Sequence, residues 1–293
     1  MLIKMQVGEQ DRGELQVNVT DSDNAPIRDA RVTISEPETA INPNSPIERL
    51  ETDVSGQTQI VDLNTPPLEY SLNENNENMP YANYNIQIEV PGYETENIRN
   101  VEILPDSLSL QNVRMRKREG EQVENIDIDP HTLYAEYPEK IPEDEIKDVN
   151  EPGEIVLSRV VIPEYVVVHN GTPSSNARDY YVTYKDYIKN VASSEIYATW
   201  PRATIEANVL AIMSFTLNRV YTEWYRNKGY DFTITSSTAY DQKWIYGRNI
   251  FQSIDEVVDE IFDQYLSRPD VRQPILTQYC DGKRVTCPNW LSQ

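Results

Sequence analysis

The hydrophobic positions of this chain change period near its middle, and the change divides it in two. Leu15, Val17 and Val19 alternate with polar residues, Asp21 to Pro26 is turn material, and Ala30, Val32 and Ile34 alternate again. Residues 52–56 read as another turn, residues 58–61 as a short strand, and Tyr84, Ile86, Ile88 and Val90 as a further strand stopped by Pro91-Gly92. Short strands at regular turn spacing predict an all-β sandwich over residues 1–118.

From Tyr184 the spacing becomes helical. Tyr184, Tyr187, Ile188, Val191 and Glu195 recur at three- and four-residue steps, which puts a carboxylate on an otherwise apolar face. Trp200-Pro201 is a stop signal, because the residue before a proline avoids helical angles. A second helix is predicted over residues 202–227. Its apolar stripe, from Ile205 through Leu217 to Trp224, is broad enough to be buried on more than one side. A third is predicted over residues 253–266, with Ser253 as its cap and an acidic face turned to water. Short strands are expected at residues 155–163, 165–169, 180–184, 232–237 and 274–279, making residues 155–293 an α+β domain.

The two halves are joined by a stretch of different character. Residues 119–154 hold 13 acidic residues against Lys140 and Lys147, and prolines at 130, 138, 142 and 152 interrupt them. That composition reads as an extended acidic linker. An exposed segment of this kind is also where proteases cut, and the region around Lys147, between Pro142 and Pro152, is the candidate processing site.

Overall charge narrows the choice of partners. With 48 acidic and 26 basic residues the formal charge is −22, which opposes binding to nucleic acid or to anionic membranes. No run is long and apolar enough to span a bilayer, so no membrane span is expected. The first residues lack the apolar block of a secretory signal peptide, so export by the general pathway is not expected. Nineteen tyrosines and four tryptophans against four phenylalanines suit surfaces that stack and hydrogen-bond, as sugar clefts do, although such a composition also serves ordinary packing.

Glu195 is the first candidate for chemistry. A carboxylate on an apolar face most often sits at a helix edge with its head in water. Here Val191, Ile196, Tyr197 and Trp200 are positioned to desolvate it and lift its pKa toward neutrality, as a general acid requires, with Ser193 and Ser194 placed to orient it. Glu206, near a helix N-terminus, and Glu223, four residues from Arg219, have structural explanations. Cys280 and Cys287 frame an Asp-Gly turn. A disulfide or two free thiols both fit them, and His131 and His169 are too distant in sequence to complete an obvious zinc site.

Two resemblances add to this reading. The G-x-L-x-V-x-V strand from Gly13, the A-x-V-x-I strand from Ala30 and the T-D-x-x-G turn at Thr52 resemble the carboxypeptidase regulatory-like, or transthyretin-like, β-sandwich. The block from Tyr187 to Ile196, followed by Thr199-Trp200-Pro201 and the alanine-containing helix from Glu206 to Ile212, resembles the stage II sporulation protein D family of lytic transglycosylases. Within that family the whole arrangement is most similar to clostridial spore cortex-lytic enzyme precursors.

The resemblance implies a zymogen that acts on peptidoglycan glycan strands of the spore cortex during germination. One carboxyl, at the position of Glu195, protonates the glycosidic oxygen between N-acetylmuramic acid and N-acetylglucosamine. It then accepts the proton of the sugar's own C6 hydroxyl as a 1,6-anhydro ring closes. No cofactor is needed. Ser194, Trp200, Tyr240, Asp241 and Gln242 are the expected substrate contacts, with a structural loop as the alternative for the last three. Relatives place a metal near the terminal cysteines, which makes Cys280 and Cys287 a weak metal possibility. An activating protease is the implied partner, and packaging in the spore is the implied localisation. The family also includes proteins that bind the wall and stimulate an amidase, a second expectation of a different class. Residues 278–293 resemble the family's terminal Ser/Gly-rich motif and stop inside it, so the sequence is expected to be either a fragment or a domain that lacks its last elements.

Overall fold

The computed structural model describes residues 10–37, 46–118, 123–138, 140–141, 157–280 and 291–292. Lys147 and Cys287 lie outside the described residues. The fold is mixed α+β, with more sheet than helix, and the chain forms two compact units.

The first unit comprises residues 1–130 together with residues 197–200 and 246–253. One sheet has the order β12-β7-β1-β4, built from β1 (Asp11–Thr20), β4 (Val61–Thr65), β7 (Leu108–Arg114) and β12 (Ile250–Phe251). The other has the order β3-β2-β5-β6-β8, built from β2 (Arg31–Ser35), β3 (Pro46–Glu51), β5 (Ala82–Glu89), β6 (Thr95–Ile103) and β8 (Val123–Asp127). The period-2 pattern explains the core: Leu15, Val17, Val19, Val32, Ile34, Ile86, Ile88 and Ile98 are all fully or nearly fully buried. One helical turn, α1 (Glu69–Leu72), follows β4.

Within the stretch that composition reads as a linker, Val123–Asp127 form an edge strand that runs parallel to β6. Composition hides this, because V-E-N-I-D-I alternates as well as being acidic, and Ile128 is 2% exposed. Ile126 also lies against Gly247, where a Cβ would come within 2.5 Å of the isoleucine side chain. The short motif Tyr246–Ser253, expected to belong with the helices, is thereby part of the sandwich unit.

The second unit holds residues 131–196, 201–245 and 254–293. Its described elements are β9 (Tyr165–His169), β10 (Asp179–Thr183) and β11 (Ile234–Thr235) in one sheet of order β10-β9-β11, and the helices α2 (Tyr184–Glu195) and α3 (Arg202–Tyr221). Most of α4 (Gln252–Ile261) and the short pair β13 (Tyr279–Cys280) and β14 (Leu291–Ser292) complete it. Twelve residues of α3 are buried, so it is the central helix its stripe predicts.

Several boundaries differ from the sequence expectation: α4 ends at Ile261 rather than at Leu266, and the strands expected over 232–237 and 274–279 shrink to Ile234–Thr235 and Tyr279–Cys280. Helix α2 ends at Glu195 rather than at Trp200, because Ile196 is extended, with φ −134° and ψ 148°. Helix α3 stops at Tyr221, since Thr222 Oγ1 donates to the Asn218 carbonyl and Glu223 takes a left-handed φ of 46°. Residues 157–163 form no strand. The acids of α4 do more than face water: Lys189 lies 2.7 Å from Asp255 and 3.0 Å from Asp259, which ties α4 to α2. Among the described residues no helix is long and apolar enough to cross a membrane.

Candidate active site

Glu195 closes α2. The helix opens with Thr183, whose hydroxyl oxygen accepts from the Asp186 N–H while its own proton goes to the Asp186 carboxylate. Tyr184, Tyr187, Ile188 and Val191 bury the apolar face, and Glu195, on that face, is only 5% exposed. A carboxylate at a helix C-terminus faces the negative end of the dipole, so neither burial nor the helix favours its charge. Burial pushes its pKa up to about 7.

Two donors hold it there rather than higher. Oε1 accepts from the backbone N–H of Lys243 at 2.7 Å, and Oε2 accepts from the Tyr279 hydroxyl at 2.6 Å. The positive charges of Lys140 and Lys243 act in the same direction more weakly. A carboxyl that titrates near neutrality, with both oxygens fixed, is able to give a proton and take one back at physiological pH.

The loop from Ser236 to Trp244 supplies the floor of the site. Gln242 is fully buried between α2, α3 and Tyr279. Its Nε2 donates to the Ile212 carbonyl at 3.1 Å and to the Tyr279 oxygen at 3.0 Å. Its Oε1 accepts from the Tyr187 hydroxyl at 3.2 Å and faces Thr216 Oγ1 at 2.8 Å. Asp241 is held just as tightly. Arg219 Nε reaches its Oδ1 at 2.8 Å, while the Tyr225 hydroxyl and the Thr235 hydroxyl and N–H all donate to Oδ2. The Arg219 and Asp241 side chains are 1% and 0% exposed, and Arg219 also stands over the Phe215 and Trp224 rings.

The segment from His131 to Ile141 packs on the same unit. Thr132 donates to the Ser194 carbonyl through both its N–H and its hydroxyl, and His131 Nε2 lies 3.3 Å from the Ile196 carbonyl. Lys140 Nζ donates to the Asp241 carbonyl at 3.2 Å and stands 4.3 Å from the Phe215 ring centroid. Lys243 Nζ lies over the Tyr137 ring.

The structure separates the site residues expected from sequence. Glu195 and Gln242 come together, linked through Tyr279. Asp241 and Ser194 are buried with their side chains engaged by the protein: Ser194 donates to the Asn190 carbonyl instead of orienting Glu195, and Asp241 serves as the counter-ion of Arg219. Tyr240 is half-buried, and its carbonyl accepts from Arg219. Trp200 belongs to the first unit, where its indole donates to the Ser71 carbonyl and its ring packs edge-on to Tyr197. Glu206 pairs with Arg202 at 2.8 Å, and Glu223 pairs with Arg226 at 3.8 Å rather than with Arg219. Sequence reasoning missed Tyr279, Lys140 and the backbone N–H of Lys243. The only signal for Tyr279 was an aromatic in a polar stretch far from the helix.

Cys280 is disulfide-bonded, which removes its thiolate as a metal ligand. No group of three or more potential metal ligands occurs among the described residues. His169 instead bonds Asp179 through Nδ1 at 2.7 Å and stacks on Phe232.

No protein-family model matches the chain, and no curated protein matches it in sequence. Solved structures similar to part of it include the minor pilin GBS52 of Streptococcus agalactiae, at 17% identity over 39% of this chain and 48% of that one, with a TM-score of 0.26. They also include 3-chlorocatechol 1,2-dioxygenase from Rhodococcus opacus 1CP, at 15% identity over 38% of this chain and 61% of that one, with a TM-score of 0.27. The chain thus spans about half of the pilin and about three-fifths of the dioxygenase. Likenesses this slight carry no conclusion about what this chain does.

Proposed function

We propose that the protein is a peptidoglycan lytic transglycosylase of the stage II sporulation protein D type, with Glu195 as its single acid and base. The observation that carries the reading is the Glu195 carboxyl itself: buried, raised to about 7, and met by one backbone and one phenolic donor on the motif that resembles this family. Glycosidases that use water or an enzyme nucleophile pair two carboxylates. Asp241, the carboxylate that shares Glu195's influence on Tyr187, is consumed by Arg219, Tyr225 and Thr235, so it is unsuited to be a second one.

The protonated Glu195 delivers its proton to the glycosidic oxygen, and the resulting carboxylate accepts the proton of the sugar's C6 hydroxyl. The bond from C1 to the leaving oxygen breaks as the bond from C1 to O6 forms, giving a 1,6-anhydro end without added water. The packing of residues 131–141 against Ser194, Ile196 and Asp241 supports the zymogen part of the reading. Cleavage beyond Ile141, by the activating protease, turns a tethered contact into a dissociable one. The transthyretin-like sandwich is then a pro-region, and the site of action is the spore cortex.

The test is mass spectrometry of cortex peptidoglycan after incubation with the full chain, before and after limited proteolysis in the acidic stretch. Products ending in 1,6-anhydromuramic acid that disappear with Glu195→Gln are expected. Reducing ends, or no release by either form despite binding to the glycan, overturn the reading, and the latter favours a wall-binding role.

A further inference from the structure

The hydrogen bonds around Gln242 can be oriented without ambiguity. The Ile212 carbonyl has no proton to give, so the Gln242 atom 3.1 Å from it must be the amide nitrogen. The other amide atom is then the oxygen, which faces the Tyr187 and Thr216 hydroxyls. The second N–H of Gln242 points at the Tyr279 oxygen at 3.0 Å, which must accept. Tyr279 therefore turns its own single proton to Glu195 Oε2, 2.6 Å away. Tyr279 is buried, and burial raises its pKa well above the ordinary tyrosine value, so it remains a donor at neutral pH. Its backbone is anchored by pairing with Leu291 and by the disulfide at the adjacent Cys280.

We propose that Gln242 and Tyr279 form a directed hydrogen-bond relay, Gln242 N–H to the Tyr279 oxygen and Tyr279 O–H to Glu195, with the Ile212 carbonyl fixing the orientation of Gln242, in which Tyr279 is a positioning residue that orients the Glu195 carboxyl and favours its proton-accepting state. The inference deepens the transglycosylase reading and rests on it for its catalytic meaning. Its physical content stands on the hydrogen bonds alone. In a site where burial drives the carboxyl toward its neutral form, the phenol opposes that drive and stabilises the carboxylate that must take up the hydroxyl proton.

The experiment is a carbon-detected NMR titration of the glutamate carboxyls of the full chain, with the Glu195 signal identified by its loss in Glu195→Gln. Tyr279→Phe removes one oxygen and is expected to raise the Glu195 midpoint by about one pH unit. Gln242→Met frees the phenol to turn and is expected to raise it by roughly half as much. Difluorotyrosine installed at position 279, a stronger donor in the same volume, is expected to lower it by a few tenths of a unit, on the order of one weak hydrogen-bond change. A packing role alone gives no such opposed pair of shifts. An unchanged midpoint in Tyr279→Phe, with the fold intact by amide spectra, overturns the relay. Should Tyr279→Phe not fold, the difluorotyrosine shift decides. Opposed shifts in a protein that releases no anhydro product leave the relay standing and remove the transglycosylase reading.

Discussion

Two buried glutamates, one in each unit, are both pushed up to about 7, and only one of them is met by converging hydrogen-bond donors. Glu96, on β6 of the sandwich, is 2% exposed, and Glu195 is 5% exposed. Burial is the leading cause for both. Yet neither oxygen of Glu96 has a hydrogen-bond partner, while both oxygens of Glu195 do. Around Glu96 stand Glu94, which raises its pKa further, and Arg116, which lowers it but is already paired with Glu124. The sandwich tolerates Glu96 by letting it hold a proton. The helical unit surrounds Glu195 with donors on separate elements. A raised pKa is thus only the consequence of burial, and the converging donors distinguish a carboxyl equipped to cycle through both protonation states.

The sharpest way to break this comparison is to neutralise each glutamate. Glu195→Gln is expected to lower the rate of anhydro-product release by about 10³-fold, within the range of general acid–base contributions. Glu96→Gln should leave that rate within about twofold of the starting protein, since it touches no group of the Glu195 network. Comparable losses in both variants, measured on proteins of matched folding, would erase the distinction.

The next largest effect concerns the carboxylate that is buried and fully paired. Asp241→Ala leaves the Arg219 guanidinium without its counter-ion in an interior where it is 1% exposed. A loss of about 3–5 kcal/mol in urea unfolding is expected. A change below about 1 kcal/mol would mean that Asp241 is a surface-like contact, as a sugar ligand on the loop would be.

Glu96 itself has a smaller signature, in stability against pH. Its folded pKa lies above its unfolded value, so the folded state binds the proton more tightly. Its stabilisation is present below about pH 4.5 and is lost as pH rises through about 7. Because burial is the leading cause of the shift, the loss is on the order of 1–3 kcal/mol. Chemical unfolding of the full chain across this range, beside Glu96→Gln, should show the slope reduced in the variant. An identical slope in both proteins would assign the titration elsewhere. The smallest effect is at Lys140. Lys140→Met removes a positive charge that favours ionised Glu195, so the Glu195 midpoint should move up by a few tenths of a unit, as expected for one screened charge.

How much of this was legible in the sequence follows from how local each feature is. The sandwich strands and α2 are written in periods of 2.0 and 3.6, and a carboxylate on the buried face of α2 stands out against that period. Trp200-Pro201 is a genuine stop signal, yet the helix had already ended five residues earlier, because nothing in Ile196-Tyr197 marks the extended turn. Arg219 looked like the helical partner of Glu223. Its true partner, Asp241, lies across a loop, and a spacing rule cannot see it. Tyr279 is 84 residues from Glu195, so only the folded chain brings its hydroxyl to the carboxyl. β8 was hidden in the acidic stretch because charge dominated a count that ignored alternation.

The most direct test of the central claim, one carboxyl working with the substrate's own hydroxyl, is to run the reaction in water enriched in oxygen-18. The protease-treated full chain is incubated with cortex glycan, and the new ends are weighed. Closure of the sugar on its own C6 oxygen predicts products that carry no heavy oxygen at either new end. One heavy oxygen at each new reducing end would show that water was the nucleophile, and would contradict the account of Glu195.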